Sequence, residues 1–99
     1  MVVSKSHVSD ALQSIYKLDK TWTINVLHEK KGQTTGANAQ NLYAEGLFIS
    51  RPDFRALNHS EKMKAMSHFK TNMLVNDDEA WDIKRRYQLG RAMRINFQK

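Results

Sequence analysis

The sequence contains no cysteine, only one proline and only four glycines. Without cysteine, the chain has no disulfide bonds, no thiolate nucleophile and no cysteine-based zinc site, and its composition fits a reducing compartment. No segment reaches the roughly 18 uninterrupted apolar residues of a membrane span, and residues 1–10 lack the apolar core of a signal peptide. We therefore expect a protein that does not enter a membrane and that is cytoplasmic, or nuclear in a eukaryote.

Recognisable catalytic and metal-binding motifs are also missing. The four histidines are far apart in sequence, and none belongs to the two-histidine helical pair of zinc hydrolases. Four acids lie within residues 76–82, but three of them occupy the first turn of a predicted helix, where carboxylates favour the helix dipole. The sequence predicts no enzyme, no metal site and no cofactor.

The charge of the chain is strongly positive. Sixteen Lys and Arg stand against ten Asp and Glu, which gives a formal net charge of +6. Such an excess favours polyanionic partners: nucleic acid, with double-stranded DNA ahead of single-stranded DNA, or an acidic protein surface. The length of 99 residues and the hydrophobic content of 40% predict one globular domain over residues 1–99.

Three segments show the three- and four-residue apolar spacing of helices: residues 6–18, 58–76 and 77–89. Ser6, Asn58 and Asn76 are the expected N-caps, and Glu61 stands at capping-box distance from Asn58. The apolar stripe of the second helix consists of Met63, Met66, Phe69, Met73 and Leu74. Methionines in such a stripe suit a core and also suit an adaptable contact surface.

Two segments alternate apolar and polar residues, which predicts strands. In residues 21–28 the alternation is rich in β-branched and aromatic types, although a helix presenting Trp22, Val26 and Leu27 also fits. Residues 92–98 alternate in the same way and would supply the pairing strand. Residues 29–40 predict a surface loop. We therefore expect a single, mainly helical α+β domain of about five helices, a two-stranded sheet and a helix-turn-helix-like unit.

The helix-turn-helix-like unit is predicted over residues 39–57. Ala44 is the small residue that lets the second helix pack closely, Leu47 and Ile49 are the apolar pair around the turn, and Phe54 and Leu57 are the buried positions of the second helix.

Local signals around the turn give mixed support to this unit. Ser50 and Asp53 have the spacing of a capping box, and Pro52 falls in the first turn, where its missing amide hydrogen costs little. Against the motif, Phe48 occupies the turn position where glycine is usual, because the backbone there often needs a positive φ.

If the unit is present, Arg51 and Arg55 face the major groove and offer bidentate donors to guanine. In the alternative interpretation the two arginines are solvated or paired with Asp53. The remaining nucleic-acid-binding candidates would contact phosphates: Lys30, Lys31, Lys62, Lys64, Arg85 and Arg86. Residues 83–97 also interleave cations with Tyr87 and Phe97, a mixture used on single strands, although both rings fit core stripes equally well.

Two functions therefore follow from the sequence. The first is a small DNA-binding regulator, expected to be a homodimer because such modules read two half-sites. The second is a small inhibitor or adaptor, of the kind mobile genetic elements encode, that docks on a larger nucleic-acid-processing protein; the methionine stripe, Trp22 and Trp81 would then be interface anchors. DNA binding predicts Arg51 and Arg55 exposed beside the other cations, and protein binding predicts an exposed apolar or acidic patch elsewhere.

Overall fold

A computed structural model describes residues 9–30 and 36–85. Within these ranges the chain is helical and contains no strand. The helices are α1 (Asp10–Tyr16), α2 (Lys20–Glu29), α3 (Ala37–Ile49), α4 (Pro52–Arg55), α5 (His59–Asn72) and α6 (residues 77–85 of the described chain). The expectation of an α+β fold is therefore wrong for the described residues, and its mainly helical part is confirmed. The second predicted strand, residues 92–98, lies outside them.

The predicted first strand, residues 21–28, is α2. Its start is set by Asp19, whose side chain accepts a hydrogen bond of 2.9 Å from the amide of Thr21. Thr23 and Leu27, four residues apart, are buried, and Trp22 and Val26 pack partly against the core. The rival helical interpretation is thus confirmed, because burial of a helix-spaced face outweighs the β preference of the individual residues.

The predicted loop over residues 29–40 is also too long. Residues 31–35 lie outside the described ranges, but α3 begins at Ala37, and both Ala37 and Gln40 are buried. The Gln40 side-chain amide donates to the carbonyl of Ala80 over 3.2 Å. Gln40 is therefore a buried helix contact rather than part of a surface connection, whereas Asn38 in the same stretch is exposed.

The three helices predicted from capping signals are present, with one shifted start. α1 begins at Asp10 and is capped by Ser9, which accepts from the amide of Leu12, whereas the predicted cap Ser6 lies outside the described residues. Asn58 caps α5 as predicted, with 2.8 Å to the amide of Glu61. At α6, Asn76 and Glu79 form a reciprocal capping box with both bonds at 2.8 Å.

The main core surrounds Phe48. Its ring centroid lies 4.9 Å from that of Phe69, 5.4 Å from that of Phe54 and 6.1 Å from that of Trp22. The buried members of this cluster are Leu12, Ile15, Ala44, Phe48, Phe54, Leu57, Ala65, Phe69 and Met73. This aromatic cluster thereby packs four helices together: α1, α3, α4 and α5.

A smaller core joins α2, α3 and α6. It contains Leu27, Ala37, Val75, Ala80 and Ile83. The side chain of Asn41 fixes the chain between α5 and α6, because it donates to the carbonyl of Val75 and accepts from its amide, both at 2.9 Å. Two small cores therefore share α3 as their common wall.

Candidate interaction surface

The predicted helix-turn-helix-like unit has a different shape. Phe48 is not in a turn but inside α3, and the turn falls at Ser50 and Arg51, both with negative φ. Arg51, not Ser50, occupies the N-cap position of α4, and the Ser50 hydroxyl donates to the Gly46 carbonyl over 2.9 Å. Pro52 lies in the first turn of α4, as predicted.

The second helix of that unit is the main correction. α4 is four residues long, so it spans only about 6 Å, too short to lie along a DNA groove as a recognition helix. Ala44, Phe54 and Leu57 are buried, as predicted. Leu47 and Ile49, predicted to pack around the turn, are exposed.

Arg51 is held by contacts within the chain. Its guanidinium donates to both carboxylate oxygens of Asp53, at 2.9 and 2.8 Å, and lies 5.6 Å from the ring centroid of Trp22. Hydrogen bonding from Arg51 lowers the pKa of Asp53, although partial burial of the carboxyl acts in the opposite direction. The bidentate donors expected to read guanine are thus occupied by Asp53, as in the alternative interpretation.

The other predicted contact residues are spread over the described chain. Lys30 lies over the ring of Tyr43, at 4.5 Å, and Arg85 lies over that of Trp81, at 5.3 Å, while also pairing with Asp82 at 3.1 Å. Arg55 and Lys64 are exposed on α4 and α5, and Lys62 lies in the groove described below. Lys31 and Arg86 lie outside the described residues. The five described cations of this set lie on, or at the ends of, four different helices.

The excess of positive charge comes from residues outside the two described ranges. Residues 9–30 and 36–85 contain ten Lys and Arg and all ten Asp and Glu of the chain, so their formal charges cancel. The six remaining cations are Lys5, Lys31, Arg86, Arg91, Arg94 and Lys99. They account for the whole net charge of +6.

One side of α5 carries an apolar groove bordered by cations, which we call the α5 groove. Its lining residues are His59, Lys62, Met63, Met66, Ser67 and Lys70. Met63 is 61% exposed, and Met66 is half-buried against the main core. None of the lining residues is acidic.

The cause of this arrangement is the direction in which α5 faces the core. Ala65, Phe69 and Met73 follow one another at four-residue spacing and are fully buried, which turns Met63 outward. The prediction that Met63 and Leu74 belong to the core stripe is therefore wrong, whereas that of Phe69 and Met73 is confirmed.

The lysines of the α5 groove have no acidic partner in the described chain. Ion pairs within those residues join Lys20 to Glu79, Arg51 to Asp53 and Arg85 to Asp82. Glu61, the only acid of α5, accepts a hydrogen bond of 3.3 Å from the amide of Ser9 instead. Lys62 lies with its ammonium 5.8 Å from the ring centroid of Phe54, next to Met63. Positive charge and apolar surface therefore meet in the groove with no carboxylate between them.

In residues 9–30 and 36–85, no three His, Asp or Glu side chains come together in a way that would hold a metal ion. None of the helices in these ranges has both the length and the apolar character needed to cross a bilayer. Comparisons with protein-family models, with curated proteins and with solved structures find no match to this chain.

Proposed function

We propose that the protein is a non-enzymatic binding protein whose α5 groove docks on an acidic, partly apolar segment of a larger protein. The observation that carries this proposal is the exposed Met63 beside Lys62 and Lys70 in a groove without acids. By docking there, the small protein would inhibit this partner or recruit it, as expected for an inhibitor or adaptor.

The apolar floor of the groove favours a protein partner over a nucleic acid. Methionine side chains are flexible and polarisable, so they adapt to apolar side chains of a partner, and an amphipathic helix in a groove is a common use of such surfaces. Phosphate binding uses cations but gains nothing from an exposed thioether between them.

The cations of the α5 groove predict that the partner is negatively charged. Lys62 and Lys70 flank the methionines and lack carboxylate partners among the described residues. Acidic residues on either side of an apolar strip would match this pattern, and the match would speed association as well as exclude basic competitors.

Selection from a displayed library of random peptides, with the full-length protein as bait, tests the proposal. We expect enriched peptides to combine acidic with apolar residues. Their affinity should fall at least tenfold for Lys62→Glu/Lys70→Glu. The matched control is Lys17→Glu/Lys64→Glu, which reverses the same amount of charge at exposed positions outside the groove and should change affinity less than threefold.

Enriched peptides without acids, or equal losses for the two double variants, would contradict the proposal. Circular dichroism of both double variants establishes that they are folded before their affinities are compared.

Nucleic-acid binding remains the second candidate, favoured by a different observation. Six cations and no acid lie in residues 84–99, and four of them belong to the six that account for the net charge. Phosphate contacts of this kind supply affinity that falls steeply with salt and depends little on base sequence.

Fluorescence anisotropy of labelled duplex and single-stranded DNA over a salt series tests this candidate. Arg85→Ala/Arg86→Ala should weaken salt-sensitive binding severalfold, because these cations belong to the acid-free segment and the pair of Arg85 with Asp82 is about half exposed. Arg51→Ala should change it little, because the Arg51 guanidinium is paired with Asp53 and the side chain is mostly buried. Absence of binding to either DNA at low salt would rule out nucleic-acid binding as the function.

A further inference from the structure

The outer face of α3 is a second exposed apolar surface. Successive residues of a helix are rotated by about 100°, so Ala39 and Gly46 lie on the side opposite the buried Ala44 and Phe48. The centre of this outer face therefore consists of two small residues separated by two turns.

Large apolar side chains border these small residues on both sides. Leu42 and Ile49, 68% and 41% exposed, form one edge, and Tyr43 and Leu47, 39% and 37% exposed, form the other. A helix that is apolar on its outer side as well as its inner side is normally buried on both sides by other parts of a protein or by a partner. The outer face of α3 therefore places small residues between large apolar side chains.

Gly46 has no packing role in the described part of the chain. A Cβ added at this position would meet no heavy atom within 4 Å there, and the glycine is less favourable than alanine inside a helix. The absence of a side chain at Gly46 is explained if another backbone approaches the face closely.

Few charges border the outer face of α3. Glu45 is the only charged residue among the thirteen of α3, and it lines a depression together with Lys70 of α5, to one side of the outer face. On the other side, Lys30 of α2 lies over the ring of Tyr43, 4.5 Å from its centroid. The residues of α3 itself therefore place no like charges opposite each other when two copies bring these helices together.

The order of residue sizes along α3 indicates that the same face of a second copy covers it. Positions 39, 42, 46 and 49 read small, large, small, large, with the spacing of one helical seam. An antiparallel copy reads large, small, large, small, so each large residue meets a small one. We propose that two copies of the chain associate through antiparallel α3 helices, with Leu42 over Gly46 and Ile49 over Ala39 of the second copy.

This pairing is expected to be weak. A single pair of helices buries less than a standard interface, so the dimer should form only as concentration rises. The inference does not depend on the proposed function, because the α5 groove contains none of these residues.

Sedimentation equilibrium of the full chain from about 5 μM to about 500 μM tests the pairing, in the concentration range of weak association. We expect the average mass to rise from 11.5 kDa toward twice that value. Gly46→Leu should raise the dissociation constant at least tenfold, because Leu42 then meets a second leucine, and Leu42→Ala should also weaken the dimer. The double variant Leu42→Ala/Gly46→Leu exchanges large and small positions and should recover most of the affinity.

A monomer at every concentration would overturn the proposal, and so would a dimer that Gly46→Leu leaves unchanged. Failure of the double variant to recover affinity would overturn the antiparallel register. Asn25→Leu, at an exposed position of α2, is the control for adding an apolar side chain to the surface. Circular dichroism of each variant separates loss of association from loss of folding.

Discussion

The α4 turn and the α5 groove each contain two cationic side chains, Arg51 and Arg55 in the first and Lys62 and Lys70 in the second, but these cations differ in what they contact. At α4, Arg51 is followed two residues later by Asp53, which takes both of its donors. At α5, the single acid Glu61 accepts from the amide of Ser9, and no described carboxylate forms an ion pair with Lys62 or Lys70, although Glu45 lines a depression beside Lys70. The availability of a cation therefore depends on where the nearest acid is held rather than on the number of cations.

The largest expected difference between the two regions concerns stability. Phe54 anchors α4 in the main core, so Phe54→Ala should lower the free energy of unfolding by about 3–5 kcal/mol. Met63→Ala, at the exposed centre of the α5 groove, should change it by less than about 0.5 kcal/mol. Urea denaturation measures both. Equal losses would mean that the groove is part of the core.

An intermediate difference concerns the cations themselves. Arg51→Ala removes the paired guanidinium from Asp53 and from the ring of Trp22, and it should cost about 1–2 kcal/mol of unfolding free energy. Lys70→Ala, in the groove, should cost less than about 0.5 kcal/mol because no ion pair in the described residues depends on it. Thermal unfolding of the two variants compares them, and the opposite ranking would contradict the difference between the regions.

The smallest expected effect is the pH dependence of the α4 turn. The pKa of Asp53 is lowered in the folded state, chiefly by the hydrogen bonds from Arg51. Its ionised form therefore stabilises the fold above the ordinary pKa of an aspartate, and this contribution is lost as the pH falls through the lowered value.

The stability difference between the wild type and Asp53→Asn should accordingly be about 1 kcal/mol at pH 7 and shrink as the pH falls below about 4. Chemical denaturation at several pH values measures it. The pKa of Glu79 is lowered as well, first by the hydrogen bond from the Asn76 amide and then by Lys20, so Glu79→Gln serves as a matched comparison. A difference that grows with acidity would contradict the pairing of Asp53.

Capping residues were the most informative part of the sequence. Asn58 and Asn76 start α5 and α6 as predicted, because a side chain that satisfies the free amides of a first turn acts over three residues and needs no tertiary contact. The strand prediction for residues 21–28 failed for the opposite reason. Trp22 and Val26 satisfy both an alternating and a helical pattern, and only packing against the core decides between them.

The site could be predicted only in part. The methionine stripe identified α5 as a candidate contact surface, but its five residues span too wide an arc for all to be buried. Ala65, which is fully buried one turn before Phe69, is too small to stand out in the stripe, so the exposure of Met63 was missed. Pairing of Arg51 with Asp53 was one of two sequence interpretations, and the ring of Trp22, distant in sequence, completes it.

The most direct test of the central claim is an NMR titration of the isotope-labelled full chain, once with a selected acidic peptide and once with a duplex DNA of equal charge. We expect the peptide to shift the amide resonances of residues 59–70 and to leave those of residues 51–55 unchanged. Shifts centred on residues 51–55 with the duplex, and none on α5 with the peptide, would contradict it.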